Sequence, residues 1–171
     1  MDDEFIIERP IDLTIASLDD GIDVVERDKQ ALEPVRQSLR EAGFYAYTTY
    51  DDQQRWSVAV DDEAGRIDVR VGADGYEMDL WGSSPGMFAD EENEWKRRTM
   101  ARLVRIMLPN IARGYLQENQ HVAWDDVEQG IAVRISYELP FGRATTIGQF
   151  ARDHLPELED LLTTVESQIE I

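Results

Sequence analysis

The most regular pattern in the chain is an alternation of apolar and polar residues in its middle third. Three short alternating runs, 56–60, 66–71 and 76–81, are separated by the turn-forming sequences Asp62-Glu63-Ala64-Gly65 and Ala73-Asp74. A period of two is typical of strands with one buried face, and such short separations indicate hairpins. We therefore predict an antiparallel meander of three strands.

One register places every large aliphatic side chain of this meander on the same face. The pairs on that face are Val71 with Tyr76, Val69 with Met78, Ile67 with Leu80, Val58 with Val69, and Trp56 with Val71. The opposite, polar face then carries Arg70 beside Glu77, Arg66 beside Trp81, and Asp68 beside Asp79. Because a shift by one residue would bury the charged set, the pattern favours this register strongly.

A helical pattern precedes the meander. Leu32, Val35 and Leu39 recur at helical spacing between Asp28, a suitable N-cap, and Gly43, a suitable left-handed stop. We predict a helix over residues 28–42, followed by an aromatic, strand-like segment over residues 44–50.

A second helix is predicted after the meander. It begins at the cap residue Asp90, and Pro109 ends or kinks it. Acidic residues come first in this segment and basic residues follow, the order that complements a helix dipole. Its predicted buried stripe is Trp95, Thr99, Leu103 and Met107.

A second hairpin and a C-terminal helix complete the pattern. Residues 121–125 pair with the alternating run 131–139 across a turn closed by Gly130. Thr146-Ile147-Gly148-Gln149 has the form of a capping box, and Pro156 should bend or divide the helix that follows. The order is α-β-β-β-α-β-β-α, an α+β domain over residues 28–171 with helices packed on an antiparallel sheet.

The first 27 residues form a separate, acidic segment. Ile11, Leu13 and Ile15 alternate with other residues, and Leu18-Asp19-Asp20-Gly21 has turn-forming character. We predict an N-terminal arm over residues 1–27 that contains a weak strand or a hairpin.

Composition adds three constraints. The chain has 171 residues and no cysteine, so disulfides and Cys-ligated metal sites are excluded. Its 17 basic and 36 acidic residues give a formal charge of -19, which repels phosphate backbones and anionic lipids. We expect no contact with nucleic acid or membrane, and the lack of a leader-like start favours a cytoplasmic location. The acidity fits either a basic partner or adaptation of a whole proteome to high salt.

The segment Gly82-Ser83-Ser84-Pro85-Gly86 contains Gly-x-Ser-x-Gly, the spacing of a hydrolase nucleophile elbow. The residue after the nucleophile must donate its backbone N–H to the oxyanion, and Pro85 has none. An elbow also belongs to a parallel sheet, whereas this sheet is predicted to be antiparallel. We expect Ser84 to lie in a strand-to-helix connection, and we predict no catalytic residue, cofactor or metal ligand.

Asp68 beside Asp79 is the least favourable pair of the predicted sheet. The two carboxylates are either solvated or arranged to hold a divalent cation, although no third ligand has metal-site spacing. A metal-dependent small-molecule enzyme built on this pair is one alternative function.

Charge is segregated along the chain. Residues 95–113 hold six basic residues and no acidic one. Arg98, Arg102 and Arg105 share one helical face and could bind carboxylates of a partner or of a second protomer. Pairing within the chain is the alternative, with Glu94 and Arg98 at i, i+4 as the obvious pair. The candidate partner-binding or dimer-contact residues are Trp95, Arg98, Arg102, Arg105, Trp81 and Arg66.

The order of elements, in a small acidic protein, resembles the class I type III secretion chaperones and especially the YbjN-like family, which shares their fold. Two local sequences carry the resemblance, Arg36-Gln37-Ser38-Leu39-Arg40-Glu41-Ala42-Gly43-Phe44 and Glu138-Leu139-Pro140-Phe141 leading into Thr146-Ile147-Gly148-Gln149. The resemblance implies a non-enzymatic binding protein, commonly a dimer, whose secretion relatives hold an extended client segment against sheet and helix surfaces.

The expected function is therefore that of a chaperone-like or adaptor protein that binds a segment of a partner protein, and the resemblance implies that it does so as a homodimer. A DNA-mimic inhibitor of a DNA-handling protein is a second alternative. The charge of -19 favours it, but the basic helix opposes it, because a mimic needs a continuous acidic face.

Overall fold

The α+β fold is described from a computed structural model over residues 11–50 and 54–169, with side chains from residue 25 onward. The helices are α1 (Ile11–Glu41), α2 (Glu94–Tyr115), α3 (Ile147–His154) and α4 (Glu157–Ser167), and a 3-10 helix spans Phe141–Thr146. The strands are β1 (Ala46–Tyr50), β2 (Trp56–Asp62), β3 (Gly65–Val71), β4 (Tyr76–Ser84), β5 (Gln120–Asp125) and β6 (Gly130–Leu139).

The strands form one antiparallel sheet in the order β1-β2-β3-β4-β6-β5. This confirms the predicted fold class and the order of its elements. The strand-like segment 44–50 contributes β1, which lies at one edge of the sheet and pairs with β2. Strand β5 forms the other edge, since β6 lies between it and β4.

The predicted register of the meander is confirmed. Val71 pairs with Tyr76 and Val69 with Met78, and Val58 lies on the other side of Val69. The polar pairs also form as predicted, namely Arg70 with Glu77, Arg66 with Trp81, and Asp68 with Asp79. The ladder between β2 and β3 has Ser57 with Arg70 at one end, so the expected pair of Trp56 and Val71 lies just beyond it.

All four helices pack on the aliphatic face of the sheet. Buried residues of α1, α2 and α4 join the strands in a single core, and their largest members include Leu32, Leu39, Leu108 and Leu158. No helix of the described residues covers the polar face of the sheet, which we call the open sheet face. No helix among the described residues is both long and apolar enough to cross a membrane.

Helix α1 differs from the prediction at its start and agrees at its end. It begins at Ile11, so Asp28 lies inside it and the hairpin predicted around residues 18–21 is wrong. Apolar residues at 11, 15, 18, 22 and 25 follow a helical spacing, which prevails over the short alternation. Residues 1–10 of the predicted arm lie outside the described residues.

The C-terminal stop of α1 is formed by Gly43, which adopts φ +96°. Its N–H donates to the carbonyl of Arg40 at 3.0 Å, and the N–H of Phe44 donates to the carbonyl of Leu39 at 3.0 Å. This pair of bonds is a Schellman motif, which requires a left-handed residue and so confirms the role predicted for the glycine.

Helix α2 differs from the prediction in its cap and in its buried side. Asn93, rather than Asp90, caps it by accepting a hydrogen bond from the N–H of Lys96 at 3.0 Å. Its buried residues are Ala101, Val104, Leu108 and Ile111. The predicted stripe is wrong for Trp95 and Leu103, which are exposed, whereas Met107 is partly buried against the core. The helix carries two apolar sides, and the side with smaller residues packs on the sheet. Pro109 does not end the helix, which continues to Tyr115.

The start of α3 is capped from a distance. Thr146 makes no side-chain capping bond, so the predicted capping box is wrong. Instead the N–H of Gly148 donates to Ser38 Oγ of α1 at 2.9 Å, and Ser38 Oγ donates to the carbonyl of Thr145 at 3.0 Å. The division of the C-terminal helix around Pro156 is confirmed.

We expect Ser38→Ala to lower the free energy of unfolding by about 1–3 kcal/mol, because it leaves the buried N–H of Gly148 without an acceptor. Urea unfolding followed by circular dichroism measures the change. Ser167→Ala is the matched control, since the exposed Ser167 hydroxyl donates only to its neighbour Thr164. Equal losses in the two variants would contradict the capping role of Ser38.

Candidate functional site

The six candidate residues fall on two separate surfaces rather than one. Arg66 and Trp81 are cross-strand neighbours on the open sheet face. The other four, Trp95, Arg98, Arg102 and Arg105, lie on α2. The exposed side of α2 also carries Leu103 and Ile106, and we call Trp95, Arg98, Arg102, Leu103 and Ile106 the α2 surface.

The α2 surface exposes large apolar side chains to an unusual degree. Trp95 is 68% exposed, Ile106 is 65% exposed and Leu103 is 43% exposed. These residues recur at intervals that place them on one side of the helix, opposite the buried Val104 and Leu108. These three side chains point away from the sheet and do not belong to the core that holds the helix in place. They form an apolar surface that is exposed to solvent.

The arginines of the α2 surface lack acidic partners. No carboxylate of the described residues lies within ion-pair distance of Arg98 or Arg102, and the expected pair of Glu94 with Arg98 is not formed. Arg105 differs, because its Nη2 atom lies 2.6 Å from Asp126 Oδ1. Two unpaired guanidinium groups therefore stand among exposed apolar side chains in a strongly acidic protein.

On the open sheet face, Arg66 is held by carboxylates on two strands. It binds Asp68 through Nε at 2.9 Å and Nη2 at 3.1 Å, and it binds Asp61 through Nη1 at 2.9 Å. Tyr47 donates to the same Asp61 at 2.6 Å. The hydrogen bonds to Asp68 are the main cause that raises the pKa of Arg66, so this candidate residue is committed to contacts within the sheet.

The carboxylates of Asp68 and Asp79 are neighbours, as predicted, but each has its own arginine. Asp79 is buried, and it accepts from Arg70 Nη2 at 2.9 Å and from Ser136 Oγ at 2.7 Å. Among the described residues, no group of three or more histidine, aspartate or glutamate side chains could hold a metal ion. The lone pairs that a divalent cation would use are thus engaged by arginine and serine.

Arg134 is a residue of the open sheet face that the sequence analysis missed. It lies directly across from Trp81 in the register of β4 and β6, and its guanidinium carbon lies 5.3 Å from the centroid of the indole ring. Its Nε atom is buried without a hydrogen-bond partner. The alternation in β6 predicts that Arg134 faces away from the core, but its contact with Trp81 depends on a strand pairing that is not sequential.

Ser84 lies at the end of β4, where it pairs with Ile131 of the antiparallel strand β6. Its Oγ donates to Glu166 Oε2 at 2.8 Å. The hydroxyl of Ser84 is thus engaged with a glutamate of α4, and Pro85, which follows it, has no backbone N–H to donate to an oxyanion. The residue acts as a link between β4 and α4.

A polar cluster on the helical side joins β6 to the break between α3 and α4. Tyr137 donates to Glu157 Oε1 at 2.7 Å, and His154 Nδ1 lies 2.7 Å from Glu157 Oε2. Burial, and then the hydrogen bond to Glu157, raise the pKa of Tyr137 above its ordinary value. The phenol therefore stays neutral and serves as a donor that braces the helix break.

No protein-family model matches this chain, and no curated protein matches it. The two surfaces are therefore interpreted from their own chemistry.

We expect Asp79→Asn to lower the free energy of unfolding by about 1–3 kcal/mol, because the change removes the buried partner of Arg70 at 2.9 Å and leaves only the longer, more exposed pair with Glu77 at 3.6 Å. Asp126→Asn is the matched control, since Asp126 is largely exposed and its pair with Arg105 is worth less than about 1 kcal/mol. Urea unfolding of both variants provides the comparison. Losses of the same small size would show that the Arg70 pair does not stabilise the sheet.

Proposed function

We propose that this protein is a non-enzymatic binding module, of the chaperone-like or adaptor type, that binds a segment of a partner protein on the α2 surface. The supporting observation is that Trp95 and Ile106 are each about two-thirds exposed, at 68% and 65%, beside the unpaired Arg98 and Arg102. Exposed tryptophan and arginine together are typical of the residues that contribute most to protein interfaces.

The charge pattern favours an acidic, amphipathic segment as the partner. Carboxylates of such a segment pair with Arg98 and Arg102 through bidentate hydrogen bonds, and its apolar residues cover Trp95, Leu103 and Ile106. A nucleic acid would also offer anions, but the formal charge of -19 on the chain opposes its approach. The basic segment is thus suited to short-range contact with carboxylates.

A homodimer of the YbjN-like type, located in the cytoplasm, is part of the proposal. The order of elements supports the likeness, since the helix, meander, helix, hairpin and C-terminal helix follow one another as in that family. The contacts of the residues that were considered for catalysis support a non-enzymatic role. Ser84 is hydrogen-bonded to Glu166, and Asp68 and Asp79 are each bonded to an arginine.

The test is fluorescence anisotropy with a labelled acidic, amphipathic peptide of about 15 residues at low and high salt. We expect the wild-type chain to bind it, with affinity that falls as salt rises because ion pairs are screened. Arg102→Glu should weaken binding about tenfold or more, and Ile106→Ser several-fold.

Arg143→Glu is the control with the same change of charge, because Arg143 is exposed on the 3-10 helix and bonds only to Thr146. If it weakens binding as much as Arg102→Glu, net charge rather than the α2 surface governs the interaction. Light scattering of the same variants tests the homodimer. A dimer in the wild type that becomes a monomer in Arg102→Glu alone would assign the α2 surface to the subunit contact.

A further inference from the structure

We propose that the open sheet face contains a second contact site, in which Arg134, placed over the ring of Trp81, binds a carboxylate of an extended protein segment crossing the sheet. The class of occupant rests on the proposed function. The site itself is distinct from the α2 surface, because Arg134 points to the face of the sheet opposite the helices.

Among the described residues of this face, Arg134 differs from its neighbouring arginines because it has no carboxylate partner. Arg66 binds Asp61 and Asp68, and Arg70 binds Asp79. Within the described part of the chain, no carboxylate lies within ion-pair distance of Arg134. An unpaired arginine in a chain with a formal charge of -19 is a site that the protein's own carboxylates do not fill.

The environment of Arg134 prepares its guanidinium group for a ligand. The group lies over the Trp81 ring at 5.3 Å, and its Nε atom is buried without an acceptor. Contact with the ring and burial of Nε restrict the side chain and remove part of its hydration, so a smaller loss of entropy and a smaller desolvation penalty oppose binding at its terminal nitrogens. A carboxylate matches those two donors in a planar, bidentate arrangement.

The shape of the face favours an extended chain. A shallow groove of about 550 Å³ runs over it, lined by residues that include Tyr50, Ser57, Asp68, Arg70, Trp81 and Arg134. It reaches from β1 to β6, which are four strand spacings apart in the sheet, or about 19 Å at about 4.8 Å each. An extended segment of about six residues spans that distance at about 3.3 Å per residue.

Charge along the groove sets the position of the acidic residue. The middle of the groove is internally paired by Arg70 with Asp79 and by Arg66 with Asp68, so it offers polar contacts without a net charge to be met. The unmatched positive charge lies at the β6 end, beside the indole of Trp81, which is 38% exposed. A segment with an acidic residue at one end and an apolar residue next to it fits this arrangement.

The experiment follows the Arg134 Nε–H and Trp81 indole N–H signals of the ¹⁵N-labelled full chain by NMR. The buried Nε position protects its proton from exchange, which makes the signal observable. The probes are the capped hexapeptide acetyl-Gly-Thr-Val-Thr-Phe-Glu-amide, the same peptide with Gln in place of Glu, and sodium acetate. We expect the Glu peptide to shift both signals and to bind about tenfold more tightly than the Gln peptide.

Arg134→Gln should abolish the difference between the two peptides, whereas Arg143→Gln should preserve it. Equal binding of the two peptides, or the absence of any shift at Arg134 and Trp81, would overturn the inference. Acetate that binds as tightly as the Glu peptide would also overturn it, since the site would then take a small carboxylate rather than a segment.

Arg102→Glu separates this inference from the proposed function. Peptide binding that is lost in Arg102→Glu, without shifts at Arg134, supports the α2 surface and contradicts the sheet site. Shifts at Arg134 that persist in Arg102→Glu support the sheet site whatever the outcome for α2.

Discussion

The register of the central strands determines how the rest of the molecule can pack. Val58, Val69 and Met78 lie side by side across β2, β3 and β4, with Asp68 and Arg70 on the reverse. A slip of one residue would turn these charged side chains into the core, at a cost that no surface contact offsets. The helices can therefore cover only one face, and the other must satisfy its charges by contacts among its own residues.

Cross-strand pairing supplies most of those contacts. Asp79 is buried because Arg70 and Ser136 both bind it, so a carboxylate beside another carboxylate is accommodated without a metal ion. Arg66 likewise joins Asp61 to Asp68. The buried and half-buried carboxylates in the middle of the open sheet face are thus engaged by arginines of the same face, and an arginine outside this network becomes conspicuous.

Several patterns set by neighbouring residues were predicted correctly from the sequence, although the hairpin at residues 18–21 and the cap at Asp90 were wrong, and patterns set by distant residues could not be predicted. The meander register and the Gly43 stop depend on residues a few positions apart, and both were predicted. The cap of α3 comes from Ser38, more than a hundred residues earlier in the chain, so no local motif reveals it. The prediction of the buried side of α2 was wrong because the helix has two apolar sides. Which of them is buried depends on packing against β5, which follows the helix in the chain.

The difference between local and distant pairing also explains which contacts of the open sheet face could be predicted from the sequence. Arg66 beside Trp81 follows from a hairpin, so the sequence revealed it, whereas Arg134 beside Trp81 requires the non-sequential pairing of β4 with β6. The tryptophan of α2 was expected to be buried, and its 68% exposure shows that this was wrong, whereas its contact with a partner stays a prediction.

The two surfaces lie on opposite faces of the sheet, with β5 as the edge between them. A single partner segment that reached both surfaces would have to pass around this edge. The conformational entropy that the segment loses on binding would then be shared by its contacts at Arg102 and Arg134. Substitutions at the two arginines would in that case be coupled rather than additive. Two independent segments would leave them additive, because the residues belong to separate elements with no partner in common.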